Sequence, residues 1–243
     1  MTISIPDFTR DIDAGGLHRK DIGQAATIAE GPIAEGPIPA ASGVYRRVFK
    51  RLIDVAAVLA AVPVVVPVVA ALALVVARDG GKPFYVQQRV GRNGRIFRMW
   101  KLRSMVSQAD QRLEDYLAAN PAARAEWDVT QKLRNDPRIT RFGTMLRRSS
   151  LDELPQLWNV LKGDMSLVGP RPMMPCQREL YPGAAYYRMR PGVTGYWQIA
   201  DRNRSTFEAR AAFDAAYEAD VSLATDLRVL GRTVSVVLQG TGC

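Results

Sequence analysis

Histidine and cysteine are scarce in this 243-residue chain, which contains one histidine, His18, and two cysteines, Cys176 and Cys243. The Ser-His-Asp and Cys-His systems of nucleophilic catalysis need a histidine near the reacting atoms, and His18 lies in a tail of disordered composition. A structural zinc site needs about four Cys or His ligands. The counts exclude these three kinds of site. The wide separation of the cysteines predicts no disulfide framework and a reducing compartment.

Two common phosphate-binding motifs are also absent, since neither G-x-x-x-x-G-K-[ST] nor G-x-G-x-x-G occurs in the chain. The length suits one domain with appendages. The 33 Lys and Arg residues outnumber the 24 Asp and Glu residues, which gives a formal net charge of +9. If the protein is an enzyme, its chemistry must therefore come from carboxylates, arginines and lysines.

The N-terminal segment 1–43 has the composition of a disordered tail. It contains a tandem repeat rich in Gly and Pro, Ala29–Ile33 followed by Ala34–Ile38. These two residue types interrupt both helical and strand patterns. No charged region followed by an apolar region of signal-peptide type is present. We expect segment 1–43 to be a solvated tail without chemistry of its own.

A long apolar run, Val55–Ala77, follows the tail and carries no charged residue over 23 positions. As a straight helix it is about 35 Å long, which exceeds the roughly 30 Å of a bilayer's hydrocarbon core. Both flanks are basic. Arg46–Arg51 holds four positive charges, and residues 78–103 hold eight bases and one acid, Asp79. Basic flanks favour the cytoplasmic side, so both ends of the run are expected there.

Pro63 and Pro67 lie near the middle of the run, where each removes a backbone donor and favours a kink. A break there leaves two arms, Leu52–Val62 and Val68–Ala77, each about half a bilayer in length. We therefore expect segment 44–80 to be a re-entrant membrane helix with basic flanks. A spanning helix and a buried helix of a soluble core are the alternatives.

Asp54 lies directly before this apolar run. A functional carboxylate embedded in the membrane is one interpretation. A structural carboxylate near Arg47 or Arg51, favoured by the helix dipole, is the interpretation we prefer because Asp54 lies at the interface.

The sequence of residues 81–243 predicts a small, helix-rich α/β catalytic domain. Residues 83–105 alternate apolar and basic positions around Gly91–Gly94, which predicts two short strands with a turn. Helices are expected as a pair over 106–132, broken at Asn120-Pro121, and over 206–219. A last helix begins at Ser222, and we expect its apolar stripe (Leu223, Leu227, Leu230, Val234 and Val237) in the core, with a membrane surface as the alternative.

The densest group of charges lies between residues 132 and 158. Residues 132–148 contain six bases and one acid, Asp136, and the adjacent carboxylates Asp152 and Glu153 follow at once. Arginine forks match phosphate oxygens. Carboxylates beside them can bind Mg²⁺ or attack phosphorus, and the surrounding positive charge is expected to keep Asp152 ionised.

This pattern has structural alternatives. Ser150-x-x-Glu153 fits a helix capping box, in which the carboxylate serves only to start a helix. The arginines also fit a solvated face or a nucleic-acid patch, although few aromatic residues lie among them. Two rigid basic turns, at 169–172 and 190–197, are either arginine-positioning elements or ordinary turns.

Several long motifs together resemble the bacterial sugar transferase family, the monotopic phosphoglycosyl transferases of polysaccharide synthesis. The resemblance runs through Gln88-Arg89-x-Gly91 to Lys101-x-Arg103-Ser104-Met105, through Asp136–Thr140 to Leu151-Asp152-Glu153-Leu154-Pro155-Gln156, and through Gly163–Pro172 and Arg190–Gln198. The motifs stand in family order over residues 46 to about 240. The segment 1–43 lies outside the resemblance.

The resemblance implies an enzyme that moves a sugar 1-phosphate from a UDP-sugar to polyprenyl (undecaprenyl) phosphate and releases UMP. It implies a re-entrant anchor, the cytoplasmic face of the bacterial inner membrane and a requirement for Mg²⁺. Asp152 would be the nucleophile that forms an aspartyl-phosphosugar, and Glu153 would assist at the metal or with a proton. Arg147 and Arg171 would hold phosphate oxygens, with Lys101 and Arg103 as weaker candidates.

Likeness to exopolysaccharide-type members favours galactose or glucose over an N-acetylated sugar. The lipid bilayer is an expected partner, nucleic acid is not, and a homo-oligomer is left open. A membrane-surface adaptor without catalysis and a basic nucleic-acid binder are the competing hypotheses, and the apolar run 55–77 argues against the second.

Overall fold

The computed structural model of the chain describes residues 43–130, 133, 135–200 and 207–238. The disordered tail predicted over residues 1–43 lies outside the described residues, apart from Gly43 at its end.

The apolar run forms one uninterrupted helix, α1 (Lys50–Ala77), which continues directly from a π-helical turn, Tyr45–Phe49. Pro63 and Pro67 both lie inside this helix. The expected break into two separate arms is therefore wrong. A proline removes only its own backbone donor, and in an apolar segment the remaining amides and carbonyls have no partner other than each other. A kink at Pro63 and Pro67 within the continuous helix remains a prediction.

A β-hairpin follows the helix and confirms the two predicted strands. Strand β1 (Phe84–Val90) pairs antiparallel with β2 (Ile96–Leu102), and Phe84 lies opposite Leu102. A 3₁₀ turn, Arg92–Gly94, joins the strands, and Asn93 adopts φ 58° there, a left-handed conformation that asparagine tolerates. The hairpin forms because apolar side chains alternate along β2 and the turn residues permit a sharp reversal.

Short helices and two further strands complete the described fold. The predicted helical pair is confirmed as α2 (Ala109–Ala119) and α3 (Pro121–Thr130), with proline at the first position of α3, where its missing donor costs nothing. The elements that follow are α4 (Arg141–Arg148), α5 (Gln156–Lys162), β3 (Ser166–Val168), α6 (Ala185–Arg188), β4 (Gly192–Thr194), α7 (Tyr196–Ala200), α8 (Arg210–Asp220) and α9 (Leu223–Leu238).

Strands β3 and β4 form a parallel pair in which Ser166 aligns with Gly192. The backbones approach so closely that a Cβ on Gly192 would lie 2.1 Å from the amide nitrogen of Gly169. Glycine is thus required at this crossing. The crossing brings the two rigid turns of the sequence, 169–172 and 190–197, into contact.

Both ends of α1 pack against the same body of strands and helices. Near its start, Val58 is buried in a cluster with residues of β2 and α5, including Phe97 and Val160. Near its end, Val76 is buried in a second cluster with Leu102 and Leu146. The middle of the helix is exposed, as Val64 at 68% shows.

The C-terminal helix α9 divides its apolar residues between the core and the surface. Val229 is fully buried beside Tyr217, and Leu230 packs against the same cluster. The expectation of a core stripe is wrong for Leu223, Leu227 and Val234, which are 44%, 58% and 60% exposed. Periodicity predicted the helix, but three of the five residues chosen for the core stripe lie on its exposed face.

Candidate active site

A cavity of about 680 Å³ opens beside the hairpin and collects most of the predicted site residues. Its lining includes Lys101, Arg147, Asp152 and Arg171. The volume lies in the range that small-molecule substrates occupy.

Asp152 is buried at the edge of this cavity, with 7% of its surface exposed. A 3₁₀ turn, Leu151–Glu153, carries it directly after α4. Ser150 enters the turn with φ 55° and makes no side-chain capping bond, so the capping-box interpretation is wrong. The helix α5 starts only at Gln156. The two carboxylates therefore belong to the cavity wall and not to a helix cap.

Lys101 bridges the carboxylate pair from strand β2. Its Nζ lies 2.8 Å from Oε1 of Glu153 and 4.0 Å from Oδ2 of Asp152. Burial raises the pKa of Asp152 above its ordinary value, while Lys101 and Arg147 act to lower it. Neighbouring positive charge therefore acts in the expected direction, but burial outweighs it and the net shift of the pKa of Asp152 is upward. The cations partly offset the loss of water around the carboxyl group.

Arg147 reaches the same cavity from the last turn of α4. Its Nε donates to Oγ of Ser104 at 2.8 Å, and burial lowers the pKa of its guanidinium. The neighbouring Arg138 binds Asp136 at 2.6 Å and lies over the ring of Trp127. Of these two cavity-lining arginines, Arg147 has no carboxylate partner within 4.0 Å among the described residues and is therefore the better candidate to bind a substrate anion.

Arg103 also lines the cavity, but its hydrogen bonds serve the membrane helix. Its guanidinium pairs with Asp79 and donates to the carbonyl of Val76 at 3.0 Å and to Oγ of Ser107 at 3.0 Å. These contacts fasten the end of α1 to the hairpin. The phosphate-binding role expected for Arg103 stays a prediction, and the geometry favours an anchoring role.

Arg171 also lines the cavity and lies over the ring of Trp197, with its Cζ 5.5 Å from the ring centroid. Two further arginines line the cavity, Arg89 from β1 and Arg210 from α8. The sequence reasoning named neither as a site residue. Arg89 stood within a recognised motif, but no local signal marked Arg210, which lies 39 positions beyond Arg171 in the chain.

Asp54 has the structural role expected of it, with different partners. It is 4% exposed, accepts from Oγ of Ser166 at 2.6 Å and accepts from the amide of Leu167 at 3.2 Å. Of the two arginines expected near it, Arg51 donates to the carbonyls of Val160 and Leu161 and not to Asp54. Asp54 thus joins the start of α1 to β3.

The carboxylate pair also provides a test of the expected Mg²⁺ site. Within the described part of the chain, no group of three or more His, Cys, Asp or Glu side chains could hold a metal ion. Mg²⁺ commonly takes one or two carboxylates and completes its shell with water and substrate phosphates. Asp152 and Glu153 already hold a cationic group between them, the ammonium of Lys101. The pair therefore fits a divalent cation that is shared with a bound phosphate.

Comparison with known proteins identifies the family of the chain. A family model described as bacterial sugar transferase matches residues 45–240. The chain belongs to this family, and its helix Tyr45–Ala77 is long and apolar enough to enter or cross a membrane.

Three relatives illustrate the likeness. The chain is 47% identical over 198 residues to the UDP-galactose-lipid carrier transferase of Erwinia amylovora, covering 81% of this chain and 42% of that protein. It is 43% identical over 213 residues to the exopolysaccharide production protein ExoY of Sinorhizobium fredii, covering 87% and 93%. It is 37% identical over 236 residues to the UDP-glucose:undecaprenyl-phosphate glucose-1-phosphate transferase of Caulobacter vibrioides, covering 91% and 80%.

Proposed function

We propose that the protein transfers a sugar 1-phosphate from a UDP-sugar to polyprenyl (undecaprenyl) phosphate and releases UMP, as the initiating step of exopolysaccharide biosynthesis. Galactose or glucose is the proposed sugar, since relatives named for UDP-galactose and UDP-glucose match most of this chain. The observation that carries the proposal is the buried carboxylate of Asp152 in a cationic cavity beside an apolar helix.

In the first step, an oxygen of Asp152 attacks the sugar-bearing phosphorus of the donor. A new P–O bond forms to the carboxylate, and the P–O bond to UMP breaks with its electron pair leaving on UMP. No proton is needed, because the leaving group is already a stable phosphate anion. The chain's cations stabilise the charge that spreads over the phosphoryl oxygens; Lys101 lies 4.0 Å from Asp152, and Arg147 also acts on this carboxylate.

In the second step, a phosphate oxygen of the lipid acceptor attacks the same phosphorus. The P–O bond to Asp152 breaks, and the carboxylate is restored. If the acceptor arrives with one proton on its phosphate, Glu153 receives that proton. Lys101 lies 2.8 Å from Glu153 and is placed to stabilise the carboxylate before this transfer.

Mg²⁺ is the proposed cofactor, with Asp152 and Glu153 as the residues that would hold it. When bound, the ion neutralises phosphate charge and polarises the phosphoryl group. Lys101 occupies the space between the two carboxylates and would have to give way to the ion.

A re-entrant anchor is the proposed topology of α1. Near its start, Asp54 binds Ser166, and near its end, Val76 and Asp79 bind Arg103. A helix that crosses a bilayer places its two ends on opposite faces, about 30 Å of hydrocarbon apart. Bonds from both ends to one catalytic body support placing both ends on the same side. Basic residues on both flanks make that side the cytoplasmic face of the inner membrane.

The proposal is tested with purified protein in lipid nanodiscs, Mg²⁺ and each of UDP-galactose, UDP-glucose and UDP-N-acetylglucosamine. With donor alone, intact-mass analysis should show the protein gaining one phosphosugar from galactose or glucose. Asp152→Asn should lose the adduct and lower UMP release by about 10³-fold or more. Asp128→Asn, an exposed carboxylate paired with Arg124, is the matched control and should keep full activity.

Two outcomes would count against parts of this account. Full UMP release by Asp152→Asn would reject the carboxylate as nucleophile, and absence of release from every donor by the native protein would favour a non-catalytic membrane adaptor. Release with UDP-N-acetylglucosamine alone would overturn the choice of sugar.

A further inference from the structure

Three arginines of the cavity lining, Arg89, Arg171 and Arg210, are assigned no place in the proposed steps at Asp152, and only Arg171 was expected to hold phosphate oxygens. Arg171 and Arg210 lie over the ring of Trp197, and Arg89 is close enough for its charge to act with theirs. The Cζ of Arg210 lies 4.2 Å from the Trp197 ring centroid and that of Arg171 lies 5.5 Å from it. The indole ring thus keeps two guanidinium groups close to each other despite their like charge.

The three arginines have no ion-pair partner within 4.0 Å among the described residues. The Nε atoms of Arg89 and Arg210 are buried without a hydrogen-bond partner in the described structure. The carboxyl group of Asp214, the acid that acts most on Arg210, instead accepts from the hydroxyl of Tyr181 at 2.8 Å. Buried cations without a carboxylate partner are costly, so the cluster is suited to receive an anion.

Fixed backbone contacts hold this cluster in shape. Arg89 donates to the carbonyl of Pro172 at 3.1 Å and to Oε1 of Gln87 at 2.5 Å. Arg171 stands between two prolines, which restrict its backbone. Arg210 is stacked against Phe207 as well as Trp197. Little side-chain entropy remains to be lost when an anion binds.

The surroundings of Asp152 and of Trp197 differ in charge in a way that distinguishes two phosphates. Beside Asp152, carboxylates neutralise part of the positive charge, which suits the phosphoryl group under attack by a carboxylate. Around Trp197, three cations line the cavity, and the acids that act on them, Glu153 on Arg89 and Asp214 on Arg210, do so from beyond ion-pair distance. A phosphate monoester dianion gains most from such a place.

We propose that Arg89, Arg171 and Arg210 form a subsite for the phosphate that stays with the nucleotide, and that this subsite holds the nucleoside monophosphate as it leaves. The inference rests on the proposed function and deepens it. The cluster stabilises the charge that grows on the leaving phosphate in the first step, and Trp197 acts as a positioning residue. The acceptor lipid's phosphate has the same chemistry and is the competing occupant.

Equilibrium binding of UMP separates this subsite from catalysis. In the Asp152→Asn background, which removes the nucleophile, UMP affinity is measured by titration calorimetry in nanodiscs. Adding Arg210→Gln or Arg89→Gln should weaken UMP binding by about 10- to 100-fold, the effect of losing a charged hydrogen bond. Arg124→Gln, which lies on exposed α3 and pairs with Asp128, is the matched control and should leave UMP affinity unchanged. Unchanged UMP affinity in both cavity variants overturns the inference.

A second measurement distinguishes the two phosphates with the nucleophile present. Arg210→Gln is loaded with donor over a long incubation, freed of nucleotide by gel filtration and then mixed with polyprenyl phosphate. Loading should be slower than in the native protein, while discharge of the adduct to the lipid should keep its rate and so report an intact fold. Slow discharge with normal loading assigns the cluster to the lipid phosphate and overturns the inference. If the native protein neither binds UMP nor forms an adduct, the result contradicts the proposed function itself and not only the subsite.

Discussion

The Nζ of Lys101 lies 2.8 Å from Oε1 of Glu153, although 52 positions separate the two residues in the chain. The ion pair closes the gap between strand β2 and the turn that carries Asp152. It places a positive charge 4.0 Å from the carboxylate proposed as the nucleophile. The hairpin therefore contributes to the electrostatics of the site as well as to its shape.

The pH dependence of adduct formation should report this ion pair. Burial raises the pKa of Asp152, and Lys101 lowers it, so removing Lys101 raises that pKa further. A nucleophilic carboxylate must be ionised, and the rate therefore falls as pH drops through its pKa. Lys101→Met should move the acid limb of the rate profile to higher pH. Lys162→Met, which removes an ammonium paired with Asp164, is the control and should leave the limb in place. A limb that stays fixed in Lys101→Met would contradict the assignment.

The topology of α1 is open to direct labelling. Arg47→Cys and Lys82→Cys are made separately in a chain that carries Cys176→Ser and Cys243→Ser, since both target positions are exposed. An impermeant maleimide should label both cysteines in inside-out vesicles and neither in intact spheroplasts. Labelling of the two positions from opposite sides would reject the re-entrant anchor in favour of a spanning helix.

Gly143 should be intolerant of a side chain because it packs on the backbone of Ser104, just after β2. A Cβ there would lie 1.9 Å from the carbonyl oxygen of Ser104, the residue whose hydroxyl holds Arg147. Gly143→Ala should destabilise the protein by about 1–3 kcal/mol, as overpacking does, and reduce turnover by displacing Arg147. Gly231→Ala is the matched control because nothing lies within 4 Å of its Cβ. Denaturant melts should show that Gly231→Ala is neutral or stabilising.

Asp214 makes folding stability depend on pH. Burial raises its pKa from 3.8 to about 7. The stability it contributes is fully present below its unfolded pKa and is lost as the pH rises through about 7. The free energy of unfolding of the native protein should therefore fall over that window, and Asp214→Asn should fall less. Parallel pH profiles for the two proteins would show that Asp214 keeps an ordinary pKa.

Local patterns predicted the elements that depend on neighbours in sequence. The strands around Gly91–Gly94 and the helix pair divided at Asn120-Pro121 follow from turn chemistry and proline's missing donor. Local sequence rules gave a wrong prediction where a contact between residues distant in the chain determines the structure. Ser150-x-x-Glu153 has capping-box spacing, yet Glu153 is drawn to Lys101 and Ser150 adopts a left-handed backbone.

The same dependence on distant contacts explains which site residues could not be predicted from the sequence. Asp152 and Arg171 stand in motifs long enough to be recognised, and the structure brings both to one cavity. Arg210 is one arginine among the 33 basic residues of the chain, and only its position over Trp197 distinguishes it. Contacts across such distances depend on the packing of α8 against α7, which no local pattern encodes.

Because α1 is bonded to the rest of the protein at both ends, the depth of this helix in a membrane would set the depth of Asp152. Arg51 and Asp54 tie one end to the body that carries Asp152, and Arg103 ties the other. A shift of the helix along its axis by one residue moves Asp152 by about 1.5 Å. If the protein acts on a lipid phosphate as proposed, bilayer thickness should affect the transfer rate, because the carboxylate of Asp152 meets that phosphate only at a matching depth.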